Sequence, residues 1–133
     1  MSIPKLEKIQ FDYIKKAESI AFLNEVNSVE KLNGKINSIL NDFIEPITKI
    51  DPKSYKVTVT GDTSIHNIYG KEFEIIKGSN SIDIRKVKHD GVSRVLLIRV
   101  EDSGEVLKSN GINKKPTVLE KSDLYTAIVN VLS

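Results

Sequence analysis

Up to Ile50 the apolar residues of this chain recur every three to four positions. From Tyr55 to about Leu107 they alternate with polar ones, and from Thr117 to Leu132 the helical spacing returns. Spacing of three to four puts one apolar stripe on a helix, and alternation puts one apolar face on a strand. The chain therefore reads as helices laid against an antiparallel sheet.

Leu6, Ile9, Tyr13, Ala17 and Ile20 form a first series. Val29, Leu32, Ile36, Ile39, Phe43 and Ile47 form a second, out of phase with the first. The polar break at Asn27-Ser28 has capping-box spacing to Glu30, so two helices are expected, over 4–24 and 28–45, rather than one bent helix. Glu45-Pro46 and Asp51-Pro52 are expected to end the helical region, because the residue before proline is pushed out of the α basin. Phe11, Ile14, Phe22 and Leu23 widen the apolar arc of the first helix beyond one packing face. They point either to a helix wedged between the sheet and the second helix, which is the expectation preferred here, or to an apolar partner or dimer surface.

Four to six strands are expected between 54 and 108, punctuated by Gly61-Asp62, Gly70, Gly78-Ser79-Asn80, His89-Asp90-Gly91 and Asp102-Ser103-Gly104. For the hairpin over 81–101, a three-residue loop sets Ile82 opposite Ile98 and Ile84 opposite Leu96, so apolar meets apolar. The same register sets Lys86 opposite Arg94. Val95 and Leu97 on the other face make 92–101 the expected central strand. A last helix is expected over 117–132, capped at Thr117 with Glu120, or at Ser122. The fold class is α+β: a single domain over 1–133, with an N-terminal helical hairpin (1–50), an antiparallel β-meander (54–108) and a C-terminal helix on one face of the sheet.

Composition narrows the chemistry. With no cysteine, disulfides, thiolate metal sites and a cysteine nucleophile are excluded. Trp is absent, so the core is aliphatic. Lys outnumbers Arg 17 to 3, as an AT-rich genome such as that of a phage or another mobile element would produce. Charges interrupt every apolar run, so neither a signal peptide nor a membrane span is expected, and the location expected is cytoplasmic. The net charge of +2 comes from the segment after residue 107 and does not demand nucleic acid.

No motif for cofactor, metal or catalysis stands out. His66 near Ser64, and His89 beside Asp90, are the two imidazoles, and neither sits in a nucleophile elbow or a metal-ligand cluster. Lys77-Gly78-Ser79 lacks the second glycine of a phosphate loop. The one suggestive patch is basic: Arg85, Lys86, Lys88 and Arg94 in one hairpin, with Lys114 and Lys115 in a later loop. Opposed cations on a sheet call for a screening anion, which a phosphate backbone or an acidic partner could supply. The expectation is a small non-catalytic protein-binding module: an adaptor, immunity or inhibitor-type accessory protein. Self-association would run through the N-terminal helices. Nucleic-acid binding through the basic hairpin is the alternative.

Overall fold

The computed structural model describes residues 3–109 and 115–133. In chain order the elements are α1 (Ile3–Glu25), α2 (Val29–Ile50), β1 (Tyr55–Thr60), β2 (Thr63–Ile68), β3 (Lys71–Lys77), β4 (Ser81–Lys88), β5 (Gly91–Val100), β6 (Val106–Ser109), β7 (Thr117–Val118) and α3 (Lys121–Leu132). The strands form one antiparallel sheet in the order β1-β2-β3-β4-β5-β6-β7. This is the expected α+β arrangement, with one strand more than expected and with β4, not β5, at the centre.

The alternation seen in the sequence fixes which face is buried. Register sets Ile75 opposite Ile84, Ile84 opposite Leu96 and Ile82 opposite Ile98. These residues and Phe73 join Leu32, Ile36 and Leu40 of α2, and Leu124, Ile128 and Val131 of α3, in one buried cluster. Two helices thus cover one face of the sheet, while the other carries Thr58, Asn67, Glu74, Arg85 and Arg94. The β1–β2 turn has Gly61 at φ +59 in its first central position, which suits a two-residue hairpin whose twist follows that of the strands.

α2 begins at Ser28, whose Oγ accepts a hydrogen bond from the Lys31 N–H. The cap is therefore Ser28 rather than Asn27. α2 also runs through Pro46 to Ile50, against the expected end at residue 45. Pro46 removes the bond to the Asp42 carbonyl. Both residues are exposed, so water can take that acceptor, while Ile44 and Ile47 keep the inner face packed. The helix stops at Asp51, whose N–H donates to the Ile47 carbonyl.

The C-terminal helix starts later than expected. Residues 117 and 118 pair with β6, and the N-cap is Glu120, not Thr117 or Ser122. Glu120 and Asp123 form a reciprocal capping box. Asp123 also accepts from Lys108 Nζ at 2.6 Å, which ties α3 to β6.

The packing of α1 departs most from expectation. Phe22 and Val26 are buried and Leu23 packs against the core, but residues 5–21 are all exposed. The helix is not wedged between sheet and α2; only its C-terminal end is anchored.

Candidate functional site

Three places on the molecule bring chemistry-bearing residues together: the basic hairpin, a trough beside β1, and the outward face of α1.

In the hairpin, a bulge between Ile84 and Arg85 changes the pairing. Ile82 faces Ile98 and Ile84 faces Leu96, as expected, but Arg85 faces Arg94 and Lys86 faces Ser93. The expected Lys86–Arg94 opposition is therefore replaced by an Arg85–Arg94 one. Val95 is the extra residue, and it packs against the core. The like charges do need an anion, and the chain provides it. Buried Asp83 accepts from Arg85 Nε at 2.9 Å, from Arg94 Nε at 3.1 Å and from Arg94 Nη2 at 3.0 Å. Hydrogen bonding to Asp83 holds the Arg94 guanidinium above its usual range. Lys86 is also engaged, donating to the Asn130 carbonyl at 3.0 Å and the Ser133 carbonyl at 3.3 Å. There it neutralises the carbonyl end of α3. Lys88 and Lys115 are exposed, and Lys114 lies outside the described residues. The cations grouped by sequence thus have three separate settings, and the two arginines share an internal carboxylate.

The trough lies between α2 and the helix-covered face of β1 and β2. It encloses about 410 Å³ and is lined by Asn33, Asn37, Asn41, Tyr55, Ser64 and His66, with Asp62 and Lys77 among its further walls. His66 is buried at its floor, stacked flat on Phe73 with ring centroids 4.7 Å apart. Its Nδ1 bonds Tyr55 Oη, and its Nε2 lies 2.9 Å from Ser64 Oγ. Ser64 Oγ also lies 3.4 Å from the Ile75 carbonyl. With the Ser64 proton directed at the Ile75 carbonyl, Nε2–H donates to Ser64 Oγ and the Tyr55 hydroxyl donates to Nδ1; with the other tautomer Ser64 donates to Nε2 and Nδ1–H to Tyr55 Oη. Burial pushes the imidazole down to about 4, so the ring is neutral near pH 7. The asparagine ladder at 33, 37 and 41 was legible as three amides at four-residue spacing, one helical face. What hid it was the absence of any sign that β1 would run alongside.

Tyr69, in the β2–β3 turn, has φ +47, a left-handed conformation uncommon outside glycine. Its hydroxyl donates to Asp51 Oδ2 at 2.9 Å, linking the end of α2 to the turn. His89 and Asp90 sit exposed at the tip of the next hairpin. Among the described residues no group of three or more His, Cys, Asp or Glu side chains is placed to hold a metal ion. No helix among them is long and apolar enough to cross a membrane.

On α1, Tyr13 is 68 % exposed, Leu6 58 % and Ile20 53 %. At about 100° per residue, Leu6, Ile9, Tyr13, Ala17 and Ile20 fall within an arc of roughly 80°. Phe22 and Val26, which anchor the helix, lie on the opposite side. The stripe therefore faces away from the rest of the domain. A shallow groove along it is lined by Leu6, Ile9, Tyr13, Ile14 and Ala17, with Glu7 and Gln10 as its polar members. Of the four residues expected to widen the arc, Phe11 and Ile14 are exposed, Phe22 is buried and Leu23 is half-buried. Phe11 lies on the side of Phe22, beneath Lys15 Nζ at 4.6 Å from the ring centroid. Its face is shielded by a cation, and it is not part of the stripe. The outward surface is thus Ile14 together with the Leu6–Ile20 series.

Comparison of the chain with protein-family models, with curated proteins and with solved structures finds no match.

Proposed function

We propose that the chain is a small non-catalytic protein-binding module, a cytoplasmic accessory protein of adaptor, immunity or inhibitor type, and that α1 is its docking element. The observation that carries this reading is the outward stripe of α1. A helix rarely keeps an apolar stripe in water for about four turns without a use for it, because each partly exposed Leu, Ile or Tyr forgoes part of the roughly 1.5–3 kcal/mol that full burial of a large apolar side chain provides. Amphipathic helices of this kind dock by side chains at i, i+3, i+4 and i+7, the spacing present here. Of α1, Phe22 belongs to the buried core and Leu23 packs against it, both near the helix's C-terminal end, so the Leu6–Ile20 stripe is not required to complete that core. The His66 trough supports the non-catalytic half of the reading, since His66 Nδ1 is engaged by the Tyr55 hydroxyl and not by a carboxylate that would orient the ring as a base toward Ser64.

A photo-cross-linking residue at position 13, introduced in cells that express the chain, tests this proposal. The expected result is a discrete protein adduct, with none from the same probe at position 58 on the uncovered sheet face. No adduct at 13, or the same adducts from both positions, would count against α1 as the docking element. Turnover of a small molecule abolished by His66→Ala would count against the non-catalytic reading.

A further inference from the structure

We infer that the α1 stripe is covered by α1 of a second copy of this chain, running antiparallel and centred on Tyr13. The inference rests on the reading of α1 as the docking element and adds the occupant.

The spacing of the stripe matches a second copy of itself. Leu6, Ile9, Tyr13, Ala17 and Ile20 are separated by 3, 4, 4 and 3 residues, a series that reads the same in both directions about Tyr13. A second copy running the other way therefore presents matching levels: Leu6 beside Ile20, Ile9 beside Ala17, Tyr13 beside Tyr13. Large meets small at the Ile9–Ala17 level, which lets the helices approach.

Within Ile3–Glu25 four lysines balance four acidic residues, so the helix has no net attraction for an anionic surface such as a membrane or a nucleic acid. The distribution around the helix is uneven. One flank of the stripe carries Lys5, Asp12 and Lys16; the other carries Gln10, Ile14 and Ala21, with Glu7 at its outer edge. A two-fold axis perpendicular to the helices brings each flank against its own copy. Ile14 then meets Ile14 of the second copy, and Asp12 lies about one helical half-turn from Lys16 of the second copy on one side and from its Asp12 on the other, twice over by symmetry. A parallel pair would instead lay the charged flank on Ile14 and Ala21.

The exposed area fits the same occupant. Leu6, Tyr13, Ile14 and Ile20 are 47–68 % exposed, and contiguous apolar patches commonly mark interaction sites. Two facing copies would remove on the order of 1,000 Å² in total, the lower end of specific interfaces, as in a reversible dimer. Because the stripe faces away from the anchored side of α1, the second copy approaches from open solvent.

Sedimentation equilibrium of the full chain over a micromolar concentration series is the test. The expected result is a shift from 14.9 kDa to twice that mass, with Tyr13→Glu weakening association at least about a hundredfold. Asp12→Lys and Lys16→Asp should each weaken it about tenfold, and the double exchange should restore it. Spin labels at position 5 should lie roughly 25 Å apart in the dimer; a parallel pair would place them near 10 Å. A chain that stays monomeric throughout, or the short distance, overturns the inference. If a foreign protein is cross-linked at position 13 while the chain alone stays monomeric, self-pairing fails and the docking role of α1 stands. Because all three substituted side chains are exposed, the thermal melt of the monomer should be unchanged, which separates lost association from lost fold.

Discussion

α1 and α2 are of nearly equal length, 23 and 22 residues, and both show one apolar stripe at helical spacing. In α2 the stripe lies on the sheet, with Leu32 and Ile36 fully buried. In α1, among the described residues, the same kind of stripe is exposed from Leu6 to Ile20. Periodicity reports that a helix has a greasy side; it does not report what covers that side. What separates the two helices is the connection. The four residues 51–54 turn the chain straight from α2 into β1, so α2 must lie over the sheet. Among the described residues α1 is tied near its C-terminal end: by the short Val26–Ser28 link, by Phe22 and Leu23 on the core, and by the Glu25–Lys35 ion pair at 3.0 Å.

Substitution in the two helices should break this comparison most sharply. Ile36→Ala opens a cavity between α2 and the sheet, and should cost about 2–5 kcal/mol. Urea denaturation followed by far-UV circular dichroism measures it directly. A cost below 1 kcal/mol would mean that α2 is held no more firmly than α1.

The second largest effect concerns His66, which marks where the cover of α2 over the sheet gives way to the trough. Its folded value of about 4 lies below the ordinary 6.5. Between those values the unfolded chain binds a proton that the folded chain does not, so stability rises with pH across that window. It is complete above about pH 6.5 and is lost as the pH falls towards 4. The shift amounts to roughly 3 kcal/mol. Denaturation midpoints at pH 5 and 6.5 should therefore differ in the native chain and converge in His66→Gln. If the native chain shows no slope there, the ring is not buried in its neutral form.

How much of this was legible follows from how local each cause is. The Ile82–Ile98 and Ile84–Leu96 pairs could be read because apolar residues two apart must share a face. The bulge at Val95 could not, because it depends on Asp83, Arg85 and Arg94 meeting on the other face and on Val95 finding room in the core. The passage of α2 through Pro46 was hidden for a similar reason, since burial of Ile44 and Ile47 outweighs one solvated carbonyl. β7 is two residues long, too short for any alternation to register; only its pairing with β6 makes it a strand. For the candidate site, the outward residues of α1 were visible as an excess of apolar positions, whereas their exposure is a tertiary fact. The basic patch was visible as composition, but the acid that joins its two arginines lies among apolar neighbours, Ile82 and Ile84, and reads as a minor interruption of a strand.

Asp83→Asn sharpens that last point with a smaller effect. It leaves Arg85 and Arg94 opposed without their carboxylate, and should cost about 1–3 kcal/mol in urea denaturation. It should also raise retention on heparin at low salt, because the two guanidinium groups then seek an external anion. Unchanged retention would show that the arginine pair has no tendency to bind anions even when released, and would remove the basis for nucleic-acid binding at this hairpin.

The smallest effect is expected where the sequence pattern looked as strong as in α2. Tyr13→Ala removes a large side chain from a helix, yet in dilute chain it should change stability by no more than about 0.5 kcal/mol, since little packing is lost and alanine is the better helix former. The measurement becomes informative when repeated at rising protein concentration. A stripe covered by a second molecule gains stability by mass action, so the midpoint of the native chain should climb with concentration while that of Tyr13→Ala stays put. Amide exchange gives the same contrast residue by residue. Residues 5–21 should exchange fast in dilute solution and slow as the chain is concentrated, whereas the buried side of α2 should be protected at every concentration. If α1 is as protected as α2 in dilute solution, its stability is local to the chain, and the contrast between the two helices no longer identifies a docking surface.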